Sequence, residues 1–252
     1  MEALWAGPAP RFTLQPGQAE VLGGRLRWSR VAWQGAAAGG SAARLDVQAE
    51  LEPLRVAPIL QRLQPSFGWG GDLTIAGKID VRSAPAFNAD IVLERSSGDL
   101  TVTDEIATQA LGLTDLRLGL NAADGVWSFT QALAGQTLGV AAGAVVARTT
   151  AQKTWPDADT PISGVLELQV ANLGTWGTWV PAGWRLGGKL RTSATIAGRF
   201  GAPEYTGEIR GEGLSVRNFL QGVNVSDGDV AIALQGATAR IDTFSAKAGN
   251  GT

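Results

Sequence analysis

The chain has 252 residues and contains no histidine and no cysteine. Without imidazole, the Ser-His-Asp and Cys-His nucleophilic systems, the usual general base and His-based metal sites are excluded. Without thiols, disulfides, Cys-bound zinc and thiol chemistry are excluded as well. Zero cysteine fits a folding compartment where stray thiols are a hazard, with a cytosolic chain that happens to lack them as the lesser alternative. An excess of either charge is also missing. The 21 Lys and Arg face 23 Asp and Glu, for a net charge of −2, and the basic residues are scattered singly. This argues against nucleic acid as a partner and offers no polybasic footprint for anionic headgroups. No stretch of 18 apolar residues occurs, and Met1-Glu2-Ala3-Leu4-Trp5 lacks the charged-then-apolar order of an export signal.

What the chain does have is 34 Gly, 11 Pro and strict alternation. The first two make turns dense and long helices unfavourable. In Arg44–Glu52, Leu45, Val47, Ala49 and Leu51 fall on one face of a strand, and Asp46, Gln48, Glu50 and Glu52 on the other. Leu73–Arg82, Leu166–Val170 and Leu190–Ile196 repeat the pattern. Further strands are expected near 20–28, 30–34, 87–95, 98–103, 125–131, 137–148, 205–211 and 237–245. Turns are marked by Ser96-Ser97-Gly98, Ala123-Asp124-Gly125, Phe200-Gly201-Ala202-Pro203 and Asp227-Gly228. Two short helical pieces are expected at 56–63 and 173–180, each followed by a Pro and a Gly-Gly.

The block repeats. Ala84-Pro85-Ala86-Phe87 matches Ala202-Pro203-Glu204-Tyr205 at a spacing of 118 residues, whereas Leu100-Thr101-Val102 matches Leu214-Ser215-Val216 at 114. The four missing residues are expected in one hairpin, because turns shorten more easily than strands. The expected organisation is the end of a preceding repeat over 1–43, a full repeat over 44–158 and a second, truncated one over 159–252. All three belong to one continuous sheet.

No catalytic constellation emerges. Gly211-Glu212-Gly213 lacks the third Gly and the helix of a dinucleotide loop, and Gly187-Gly188-Lys189 lacks the Ser/Thr of a phosphate-binding loop. Asp227-Gly228-Asp229 reads as an acidic turn rather than a calcium loop, and Asp157 and Asp159 as solvated linker residues. No cofactor or metal is expected, and the chain is not expected to be an enzyme. Nine Trp against one Tyr is an unusual bias. Trp28, Trp69, Trp127 and Trp184 read as fillers of gaps between sheets, and Trp176 and Trp179 as a cap over an apolar groove. The alternation itself fits two architectures. One is a β-sandwich, and the other a single sheet curled so that its apolar face stays open.

Trp69-Gly70-Gly71-Asp72-Leu73-Thr74-Ile75-Ala76-Gly77, the Ala-Pro before a strand and Leu168–Gly174 resemble the TamB-like translocation and assembly module family. Phe244–Gly249 also resembles that family's repeat ends. These are AsmA-like, repeating β-groove proteins of Gram-negative bacteria. The resemblance implies an all-β fold, a repeated antiparallel meander curled into an elongated taco-like groove with an apolar interior and short helices between repeats. It implies an internal periplasmic segment of an inner-membrane-anchored protein, carrying phospholipid acyl chains between the membranes. The outer-membrane barrel partner would be met through parts of the longer protein. The alternative is a scaffold that assists insertion of outer-membrane β-barrels by pairing at strand edges. The groove lining that the resemblance transfers is Leu45, Val47, Leu51, Leu73, Ile75, Ile79, Val81, Ile91, Leu93, Leu116, Leu118, Leu120, Leu166, Leu168, Val170, Ile196, Val230, Ile232 and Leu234.

Overall fold

A computed structural model describes residues 2–4, 10–36, 43–103, 108–175 and 183–249. The strands are β1 (Glu2–Leu4), β2 (Arg11–Leu14), β3 (Gly17–Val21), β4 (Gly24–Gln34), β5 (Arg44–Arg55), β6 (Trp69–Gly71), β7 (Thr74–Arg82), β8 (Asn88–Ser97) and β9 (Leu100–Thr103). They continue with β10 (Thr108–Ala110), β11 (Leu113–Ala123), β12 (Val126–Gly135), β13 (Gly139–Arg148), β14 (Ile162–Val170), β15 (Trp184–Arg199), β16 (Ala202–Asn218), β17 (Val223–Gly236) and β18 (Thr238–Ala248). A single α-helix, α1 (Ala57–Leu63), and a 3-10 turn (Pro65–Phe67) lie between β5 and β6. Fifteen strands form one antiparallel sheet in near-sequential order, β1-β2-β4-β5-β7-β8-β11 and then β12 through β18, with β3 beside β2 on the edge of β4. The fold is therefore all-β, as the alternation predicts. It also contains what a single continuous sheet does not, a separate three-stranded sheet β10-β9-β6.

Period-2 alternation decides which side chains share a face, because residues paired across strands point the same way. Leu51, Ala49 and Val47 of β5 face Gly77, Ile79 and Val81 of β7, whereas Glu50, Gln48 and Asp46 face Lys78, Asp80 and Arg82. One side of the sheet is thus apolar. The other carries a ladder of exposed ion pairs, among them Arg30–Asp46 at 2.9 Å and Lys78–Asp90 at 3.3 Å. Such exposed pairs contribute little to stability, in the range of about 0–1 kcal/mol each. What they do is keep that side wet.

The length difference between the two matching blocks does not fall in a hairpin. In the first repeat Gly98, with φ +77°, breaks the chain between β8 and β9, and a Cβ there would overlap the Asp72 carbonyl. Asp99 then fixes the break. Its Oδ1 accepts from the amides of Leu100 (2.8 Å) and Leu113 (2.9 Å), and its Oδ2 from the amide of Gly112 (2.8 Å). Residues beyond the break peel away as β9 into the small sheet. In the second repeat Gly213 stands 114 residues after Asp99 and offers no carboxylate. β16 accordingly runs through as one 17-residue strand with register shifts between Gly211 and Val216. The Asp227-Gly228 turn is likewise a bulge inside β17, where Gly228 lies opposite Leu214, and a Cβ on it would come within 3.0 Å of the Leu214 Cβ. The expected helix at 173–180 is a single 3-10 turn at 173–175, and residues 176–182 lie outside the described residues. The strands expected at 20–28 and 30–34 are divided instead at the Leu22-Gly23 turn, and β4 continues across a register shift between Trp28 and Arg30.

Candidate functional site: an uncovered apolar face

Eighteen of the nineteen residues expected on the apolar side share one face of the large sheet. Leu45, Val47 and Leu51 lie on β5, Ile75, Ile79 and Val81 on β7, Ile91 and Leu93 on β8, and Leu116, Leu118 and Leu120 on β11. Leu166, Leu168 and Val170 lie on β14, Ile196 on β15, and Val230, Ile232 and Leu234 on β17. Leu73 is the exception. It precedes β7 and is buried among α1, β6 and β9. Trp176 and Trp179 lie outside the described residues, so their capping role has no structural description.

The register defines a central row across the sheet. Leu26, Leu51, Gly77, Leu93, Leu118, Gln131, Gly143, Leu166, Ala194, Gly207, Leu234 and Ala239 follow one another from β4 to β18. This row contains no charged side chain. Gln131 is its one polar member. Arg95, on the same face opposite Ile75, turns its Nε aside to the Gly98 carbonyl at 3.0 Å. The row crosses 12 strands; adding β1 and β2, the path of 14 strands at about 4.8 Å spacing is roughly 60 Å wide.

Near the middle of the sheet, at β11 and β12, both strand ends carry a packed cluster on this face. At one end α1, the 3-10 turn and the small sheet bring Ala57, Phe67, Trp69, Leu100 and Val102 against Leu113, Leu116, Leu133 and Leu138. Helix α1 is only seven residues long, so tertiary packing rather than intrinsic helicity must hold it. Gln61 Nε2 helps by donating to the Trp69 carbonyl at 2.6 Å. At the other end Trp127, 1% exposed, stacks on Phe87 with ring centroids 5.0 Å apart, while Trp155 meets Trp127 and Phe129 edge-on at 5.7 Å. Phe200 closes the cluster at 5.7 Å from Phe129 and 5.8 Å from Trp155. Of the tryptophans read as fillers between sheets, Trp69 does lie between the small sheet and the large one, whereas Trp127 belongs to an aromatic cluster at the opposite strand end. Trp127 and Trp69 anchor the two strand ends.

Between the clusters the face is open. On β11, Leu116 packs against the first cluster and Leu120 against the second, and Leu118 between them is 47% exposed. Four residues of strand separate Leu116 from Leu120, about 14 Å. Ile79, Ile91, Leu93, Leu166 and Leu168 are half-buried, whereas the inner residues of a closed sandwich would be wholly covered. Among the described residues no second large sheet stacks on this face. A depression of about 1030 Å³ lies mainly on the opposite side, where Gln48, Glu50, Lys78, Asp80, Asp90 and Glu94 contribute to its walls. The apolar face is thus a broad open strip and not an enclosed pocket.

Sequence reasoning finds the face and misses its borders. Phe87, Trp155 and Phe200 all lie in the connections that join strands at one end, and their common location is the only signal they give. Asp99 gives none, since an isolated Asp after Gly reads as turn chemistry. The acidic residues 227 and 229 are engaged locally, Asp227 with Lys247 at 3.3 Å and Asp229 Oδ1 with the Gly213 amide at 3.3 Å. No group of three His, Cys, Asp or Glu suited to a metal occurs among the described residues. Comparison with protein-family models, with curated proteins and with solved structures finds no match for this chain.

Proposed function

We propose that this chain is a non-enzymatic conduit for the acyl chains of phospholipid. In this reading it is a TamB-like segment of the Gram-negative periplasm that carries lipid between inner and outer membranes along a trough. The observation that carries the reading is the uncharged row from Leu26 to Ala239, which runs between two clusters on the same face where it crosses β11 and β12. The sheet is the floor, the clusters are the walls, and the headgroup stays in water. Moving an acyl chain through water costs about 0.8 kcal/mol per methylene, on the order of 10 kcal/mol for sixteen carbons. An apolar floor removes much of that cost. Because dispersion and hydrophobic contacts have no direction, a chain slides along the row without a single deep binding site. A width of roughly 60 Å exceeds one lipid and suits a relay of several.

A second reading is a scaffold that pairs with strands of client β-barrels. It is favoured by β18, the terminal strand in the sheet order, whose Ile241 and Phe244 are 65% and 70% exposed. Such an edge is a template for strand addition. Photo-crosslinking residues placed at Ile75 and Leu168 separate the two readings. Lipid captured at both positions supports the conduit. Peptide captured along β18, with no lipid at Ile75 or Leu168, overturns it in favour of the scaffold.

A further inference from the structure

The polar face of the sheet has one interruption. On β12 and β13 the residues facing that side include Ala132, Ala134, Val140, Ala142 and Ala144, with no charge before Arg148; on β14 Val165 continues the patch and Glu167 borders it. Val140 is 44% and Val165 57% exposed, and β13 carries no charged side chain before Arg148. A strand apolar on both sides is the pattern of a strand covered on both sides, yet here this side is uncovered. The cross-strand row through the patch runs Glu94, Arg117, Ala132, Ala142, Glu167, Ser193. Arg117 lies one strand before β12 and Glu167 one strand after β13, so opposite charges flank the two small residues symmetrically.

We propose that this patch is a self-association surface whose partner is a second copy of the chain, related by a twofold axis parallel to the strands and passing between β12 and β13. That axis superposes β12 on the partner's β13 and β11 on the partner's β14, so each Arg117 meets a Glu167 of the other copy. Alanines and valines permit the face-to-face packing of two sheets at about 10 Å. The pairing is isologous and closed, as a homodimer requires. Four strands over five residues cover roughly 19 by 17 Å, so the dimer buries about 650 Å² in total. That is below the usual size of a stable interface and sets the contact as weak, assembling on the order of 100 µM. Both apolar faces then point outward, away from the twofold contact.

Sedimentation equilibrium of the whole chain from about 10 to about 500 µM tests this. The native chain is expected to approach dimer mass at the upper end. Glu167→Arg sets arginine against arginine twice and is expected to weaken assembly by about tenfold or more, and Arg117→Glu likewise. The double exchange restores the native constant to within about threefold. Both side chains project into solvent, and far-UV circular dichroism checks that each variant keeps its sheet. A native chain that stays monomeric throughout, assembly indifferent to Glu167→Arg, or a double exchange no better than the singles each overturns the proposal.

Discussion

The sharpest consequence of a sliding apolar floor concerns Leu118. Its side chain is 47% exposed at the middle of the strip, so Leu118→Glu places a carboxylate where water already reaches. The cost to the fold is the half of the leucine side chain that is buried, about 1 kcal/mol. The cost to transport is larger. A hydrated carboxylate holds water against about four passing methylenes, which forfeits roughly 3 kcal/mol of burial at that point. At 1.36 kcal/mol per decade this slows passage about a hundredfold. Gln235→Glu is the control, adding the same charge beside Leu234 on the polar face. The assay is transfer of a fluorescent phospholipid between donor and acceptor vesicles. Circular dichroism and thermal melting show that both variants are folded. A folded Leu118→Glu protein that transfers lipid at the native rate refutes the conduit, as does a Gln235→Glu protein that is equally slowed.

Two further predictions concern the strand-end clusters. Trp127→Ala empties the most buried site of the aromatic cluster, between Phe87, Phe129 and Trp155. It is expected to destabilise the chain by about 3–5 kcal/mol, read as a lowered denaturation midpoint with unchanged slope. Asp99→Ala strips the acceptor from the Leu100, Gly112 and Leu113 amides and is expected to cost about 3 kcal/mol. Hydrogen exchange should accelerate first at those three amides, and uniform exchange across the sheet would count against the role given to Asp99.

The large sheet is legible in the sequence because its two faces differ in chemistry and alternate with a period the backbone imposes. Leu45-Val47-Leu51 on β5 and Leu166-Leu168-Val170 on β14 declare their side without help from any partner. Where a strand ends is less legible. Gly98 and Gly213 each adjoin an acidic residue, Asp99 and Glu212, and it is the three amides gathered by Asp99 that mark where the chain departs into a second sheet. The borders of the strip are illegible for a related reason. Phe87, Trp155 and Phe200 come from three separate connections and Trp127 from β12, and only the pairing order brings them to one corner. The small, uncharged stretch Val140–Val146 is plain in the sequence, yet periodicity alone does not tell its two sides apart.

Because strand order so nearly follows chain order, most pairing partners are close in sequence, and no strand of the large sheet waits for one from the far end of the chain. Assembly is then zipper-like, with each hairpin adding to an existing neighbour and little entropy spent on closing long loops. Unwinding proceeds from the outer strands inward and not as one concerted event, as in stacked-repeat proteins. Such an architecture lengthens by insertion of further hairpins without redesign of those already in place.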